Sequence, residues 1–115
     1  MKEVDDMAFK KIEKEVVNGL LEIFKNHAVK IILYGSVARN EDNEESDIDI
    51  AVIVDTPVDK DTRDTFLDWC AEMDLKYDCV LSIIDIEQQK YEQWEKTLPF
   101  YRNVSKEGIV LWTAA

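Results

Sequence analysis

Ile31-Ile32-Leu33-Tyr34-Gly35-Ser36-Val37-Ala38-Arg39 and, after a polar stretch, Ser46-Asp47-Ile48-Asp49-Ile50-Ala51-Val52-Ile53-Val54 decide how this chain folds. Val29 to Tyr34 is a run of β-branched and large apolar residues closed by a glycine, the pattern of a buried strand. Ser36 to Asn40 suits one or two turns of helix, and Glu41 to Ser46 is wholly polar. Asp47 to Val54 is β-branched again and reads as a second strand. Because side chains alternate along a strand, Asp47 and Asp49 share one face while Ile48 and Ile50 turn toward the core.

That spacing has a chemical consequence. Two neighbouring carboxylates repel unless a cation lies between them, and hard oxygen ligands suit Mg²⁺ or Mn²⁺. Ahead of them, Gly35-Ser36 ends a strand and opens a helix, so backbone N–H groups and the Ser36 hydroxyl can converge on an anion. A Gly-Ser turn or a strand-start Asp pair is ordinary when found alone. Their conjunction, with Arg39 three residues after Ser36 and Ser46 directly before Asp47, describes a device for a metal–triphosphate complex. Phosphoryl or nucleotidyl transfer is the implied chemistry. Arg39 either neutralises phosphate charge or pairs with a carboxylate of the site.

Outward from these segments, Phe9, Ile12, Val16, Leu20, Ile23 and Phe24 recur at three- and four-residue steps, which predicts an amphipathic helix over about residues 6–27. Thr62 to Leu75 carries Phe66, Trp69, Cys70 and Met73 at helical spacing, with Trp69 on the apolar stripe. Tyr77 to Ile84 reads as a third strand. Glu87 to Thr97 suits an exposed helix whose Tyr91 and Trp94 either meet a partner or cover the sheet. Phe100 to Glu107 forms a last short helix, which Gly108 stops in a left-handed position before the apolar tail Ile109-Val110-Leu111-Trp112. His27 reads as a helix-end cap, and Glu44 and Glu45 as solvated charges. The order of elements indicates an α/β chain with a small sheet covered by helices.

At 115 residues the expectation is one domain over 1–115. With 46% hydrophobic and 34% charged residues the chain is neither disordered nor embedded in a membrane. No apolar run is long enough to span a bilayer, the first residues lack the order of a secretory signal, and a cytoplasmic location is expected. Cys70 and Cys79 read as small buried apolar residues of a helix and a strand. The formal charge of −11, from 25 acidic against 14 basic residues, repels long nucleic acid and attracts a basic protein partner.

The two opening segments resemble the minimal nucleotidyltransferases (MNT) of the DNA polymerase β-like superfamily. These carry an apolar strand, Gly-Ser, about ten residues and an Asp-apolar-Asp-apolar strand. The resemblance is most specific over residues 31–54 and the order of elements agrees over nearly the whole chain. It implies a polymerase β-type α/β (α+β) fold, a small mixed sheet flanked by helices. It also implies that Gly35, Ser36, Arg39 and Ser46 bind the nucleotide, and that Asp47 and Asp49 hold Mg²⁺ or Mn²⁺. Such proteins usually add a third carboxylate from the next strand; here Asp78 and Asp85 are the candidates. Asp78 is favoured because it begins its expected strand as Asp47 begins the preceding one.

Small stand-alone domains of that family are often paired with a helical HEPN-type RNase toxin and act as its antitoxin. The resemblance therefore implies AMP transfer from ATP to a hydroxyl, such as a tyrosine, of that partner. The competing readings are a non-catalytic antitoxin that blocks a basic nuclease and, more weakly, a small-molecule nucleotidyltransferase. The implied partners are a nucleoside triphosphate and a HEPN-type protein, without long nucleic acid or membrane, and with a homo-oligomer left open.

Overall fold

Strand β2, Ile48–Val54, is almost wholly buried, and the other elements are laid around it. The computed structural model describes residues 7–38 and 47–114. On one side of β2 runs β1, Ala28–Tyr34, antiparallel, and on the other runs β3, Leu81–Glu87, parallel. The apolar tail Ile109–Thr113 is a strand, β4, which pairs antiparallel with the outer side of β1 and completes the sheet order β3-β2-β1-β4. The sheet is mixed, as the resemblance implies.

Two long helices close one face. In α1, Met7–Phe24, the residues Phe9, Ile12, Val16, Leu20 and Phe24 are all buried, so the three- and four-residue spacing forms one apolar stripe. Helix α3, Lys60–Tyr77, lies beside it and buries Phe66 and Met73, with Phe66 tilted against Phe24 at 5.4 Å between ring centres. Trp69 packs on the same core. These helices cover Ile31 and Leu33 of β1 and Ile48, Ile50, Val52 and Val54 of β2. Each such buried side chain contributes about 1.5–3 kcal/mol through area removed from water.

The opposite face is covered by shorter pieces, α4 at Gln88–Trp94 and α5 at Pro99–Glu107. Tyr91 is buried there with Ile32, Ala51, Ile53, Ile86 and Val104, and Trp94 leans on Tyr101. Tyr91 therefore covers the sheet, while Trp94 packs on α5.

Several local expectations are corrected. Helix α1 ends at Phe24 and is followed by a 3-10 turn, Lys25–His27. His27 holds the junction of β1 and β2, with Nδ1 2.9 Å from the Asp55 carboxylate and 3.2 Å from the Thr56 hydroxyl. Helix α3 starts at Lys60 because the Asp59 carboxylate accepts the Thr62 N–H at 2.7 Å, capping it. Gly108 has φ −70, so its need is spatial: a Cβ there would meet Ile32 and the Val104 carbonyl, where the chain leaves α5 for β4. Cys70 lies on α3 as expected, while Cys79 lies between α3 and β3. Burial, then Asp74, pushes the Cys70 thiol up to about 11, so it is inert at neutral pH.

Candidate active site

Register brings three side chains of different strands into one row. Asp49 lies opposite Tyr34 of β1 and opposite Ser82 of β3. The next row on that face is Ile32, Ala51 and Ile84, all packed beneath α4 and α5. Tyr34, Asp49 and Ser82 therefore stand on the α4/α5 face, at the end of the sheet where β1 finishes and β2 begins, and all three are half-buried. Asp47, two residues before Asp49, is exposed at the mouth of the same row.

The turn after β1 is pressed against this row. Gly35 has φ +77, a conformation that costs any L side chain, and it opens the short helix α2, Gly35–Ala38. A Cβ at Gly35 would run into the Asp49 carboxylate and lie 3.1 Å from Asp49 Cγ. The glycine is needed for its backbone angle and for the room it leaves. The start of α2 and the Asp49 carboxylate thus lie together at one edge of the sheet. Tyr34 packs edge-on against Phe100 at 5.7 Å. Burial, and secondarily the Asp49 carboxylate, raises the pKa of its phenol, so Tyr34 is neutral at physiological pH.

The acids proposed as a third ligand lie elsewhere. Helix α3 continues through Tyr77, and Asp78 caps it in the left-handed region at φ 50, exposed to solvent. The Asp78 and Cys79 N–H groups are donated to the Asp74 carbonyl, and the Leu81 N–H to the Asp74 carboxylate at 2.8 Å. These bonds hold residues 78–80 in a turn, so β3 begins at Leu81 and Asp78 does not begin a strand. Asp85 is in β3, but its register partner is Val52, which faces α1 and α3. There it receives the Arg63 guanidinium, 2.9 Å from each carboxylate oxygen. The Ser36 side chain, Arg39, Glu44, Glu45 and Ser46 lie outside the described residues.

Among the described residues no three His, Cys, Asp or Glu side chains converge enough to hold a metal ion by themselves. The Asp47–Asp49 pair nevertheless fits a divalent cation of the Mg²⁺ type. Asp49 on β2 and Asp47 just ahead of that strand are hard anionic donors two residues apart, and the space beside Asp49 is kept open by the missing Cβ of Gly35. The other ligands of such an ion would be phosphate oxygens and water. Tyr34 and Ser82 escaped sequence reasoning because only the pairing register places them beside Asp49.

Residues 18–114 match the family model described as polymerase beta, nucleotidyltransferase. The chain belongs to the polymerase β nucleotidyltransferase family. This nucleotidyltransferase is 38% identical over 99 residues to MJ0604 of Methanocaldococcus jannaschii, which carries the name of a protein adenylyltransferase. The match covers 86% of this chain and 93% of that relative.

Its fold is also that of MNT antitoxins in solved toxin–antitoxin complexes. One holds a tri-AMPylated HEPN toxin of Shewanella oneidensis with its MNT antitoxin, at TM-score 0.58 and 19% identity, covering 91% of this chain and 72% of that one. Another is a toxin–antitoxin structure with AMP-PNP, at TM-score 0.61 and 21% identity, covering 89% and 73%. Among the described residues no helix of the nucleotidyltransferase is long and apolar enough to cross a membrane.

Proposed function

We propose that this nucleotidyltransferase transfers AMP from ATP to a hydroxyl, such as a tyrosine, of a helical HEPN-type protein, and so serves as the antitoxin of a toxin–antitoxin pair. The observation that carries the reading is the edge where Asp47 and Asp49 stand against the Gly35 turn. The name of the M. jannaschii relative and the AMPylated toxin beside an MNT antitoxin support AMP transfer to a protein. Two features of this chain favour a protein acceptor: the −11 charge suits a basic surface, and Phe100, 41% exposed, offers an apolar ring next to Tyr34.

In this reading the α2 end binds the triphosphate through backbone N–H groups at Gly35 and Ser36, with Arg39 and Ser46 adding phosphate contacts. Asp47 and Asp49 are the metal ligands. A bound Mg²⁺ or Mn²⁺ supplies charge neutralisation and Lewis-acid polarisation of the α-phosphate. The acceptor oxygen forms a bond to the α-phosphorus, the bond to the bridging oxygen of the β-phosphate breaks, and pyrophosphate leaves with that electron pair. The acceptor proton passes to solvent or to a carboxylate of the edge. The exposed position of Asp47 leaves the acceptor a route from outside. The two half-buried, unpaired thiols suit a reducing cytoplasm.

The test is to incubate the protein, a candidate HEPN-type partner and α-labelled ATP with Mg²⁺, and to compare Asp47→Asn/Asp49→Asn. Label on the partner that disappears with the double variant is the expected result. Inhibition of the partner by both forms without label would replace the reading with neutralisation by binding alone.

A further inference from the structure

The row Tyr34–Asp49–Ser82 gives β3 a place in the site that neither Asp78 nor Asp85 fills. Ser82 is one strand away from Asp49 in a parallel pair. Partners in such a pair point to the same side, at a spacing of about 4.8 Å between strands. The packing of flanking pairs bears this out. Ile48 and Leu81 are together in the α1/α3 core, as are Ile50 and Ile83, while Ala51 and Ile84 are together beneath α4 and α5. Asp49 and Ser82 fall between these pairs on the second face. Ser82 is the first polar residue of an otherwise apolar run, Leu81-Ser82-Ile83-Ile84, in which every other side chain packs on a core.

We propose that Ser82 is the third protein oxygen of the ion-binding edge, facing the same divalent cation as Asp49 and contributing an uncharged hydroxyl, directly or through a bound water. The proposal rests on the nucleotidyltransferase reading of that edge and adds a residue to it. Asp47 and Asp49 bring two negative charges, enough to neutralise one divalent ion. A hydroxyl in the third place leaves any further positive charge to be balanced by the phosphates of the nucleotide. A carboxylate in the Ser82 position would raise the affinity for the bare ion, since ligand charge count sets the strength of oxygen sites.

The experiment measures Mn²⁺ binding to the full chain without nucleotide, from the electron paramagnetic resonance signal of free Mn²⁺. Ser82→Asp is expected to tighten Mn²⁺ about tenfold or more. Ser82→Asn, of nearly the same shape and uncharged, gives no such gain, and the gain vanishes when Ser82→Asp is combined with Asp49→Asn. Ser82→Ala weakens Mn²⁺ by about two- to tenfold, the scale of one hydrogen-bonding group lost. Thermal melting of each variant separates loss of fold from loss of ion. Equal Mn²⁺ affinities for Ser82→Asp and Ser82→Asn would overturn the assignment. Because the assay contains neither ATP nor acceptor, its result is independent of whether AMP transfer is found.

Discussion

The two faces of the central sheet divide two tasks between alternate residues of one strand. From β2, Ile48, Ile50, Val52 and Val54 go to the face closed by α1 and α3, where the two long helices bury them along their whole length. Asp49, Ala51 and Ile53 go to the other face, where α4 and α5 cover Ala51 and Ile53 but leave the row of Asp49 half-buried. Along β1 and β2 the first face is apolar and supplies the stability that lets the other keep Asp47 and Asp49 at its edge. The acids β2 and β3 present illustrate the difference: Asp85 on the first face is tied to Arg63, while Asp47 on the second lies open at the strand mouth.

The strongest way to break this contrast is to change Asp47 and Asp49 together to Asn. Nucleotidyl transfer should fall by about a thousandfold or more, the scale of removing preorganised transition-state electrostatics. The melting temperature should change little, because Asn keeps the size and shape of each side chain. Ile50→Ala, one residue away on the other face, should do the reverse. It should cost about 2–5 kcal/mol in chemical denaturation and leave the activity per folded molecule near wild type. If both substitutions reduced stability equally, the division between faces would be wrong.

Gly35→Ala sits where the two tasks meet. It should lose about 1–2 kcal/mol from the left-handed backbone. It should also lose transfer activity beyond that, because the new Cβ displaces the Asp49 carboxylate. An Ala variant with normal turnover would separate the turn from the site. The smallest effect is expected for Arg63→Ala. Its pair with Asp85 is 44% and 21% exposed, so unfolding free energy should drop by about 1 kcal/mol or less and transfer rates should be unchanged.

Much of this plan was legible in the residues. The spacing of Phe9, Ile12, Val16, Leu20 and Phe24 sets the stripe of α1, and the Asp-Ile-Asp-Ile alternation assigns Asp49 and Ile50 to opposite faces. Gly35 marks the turn because no other residue takes φ +77 without cost while leaving room for a carboxylate. What escaped depends on partners distant in sequence. The start of β3 is fixed by Asp74, whose carbonyl and carboxylate bind the N–H groups of residues 78, 79 and 81, and no periodicity announces such a turn. The tail Ile109–Thr113 is apolar in either a strand or a loop, and only pairing with β1 makes it β4. Ser82 is unremarked beside two aspartates until register sets it next to Asp49.

The central claim is that the edge at Asp47 and Asp49 transfers a nucleotidyl group. It is tested most directly by giving the protein and its acceptor ATP labelled at the α-phosphate or at the γ-phosphate, with Mg²⁺ present. Label on the acceptor from α-labelled ATP only, with pyrophosphate released in equal amount, is the predicted result. Label from the γ-phosphate, or equal α-label with Asp47→Asn/Asp49→Asn, would contradict it.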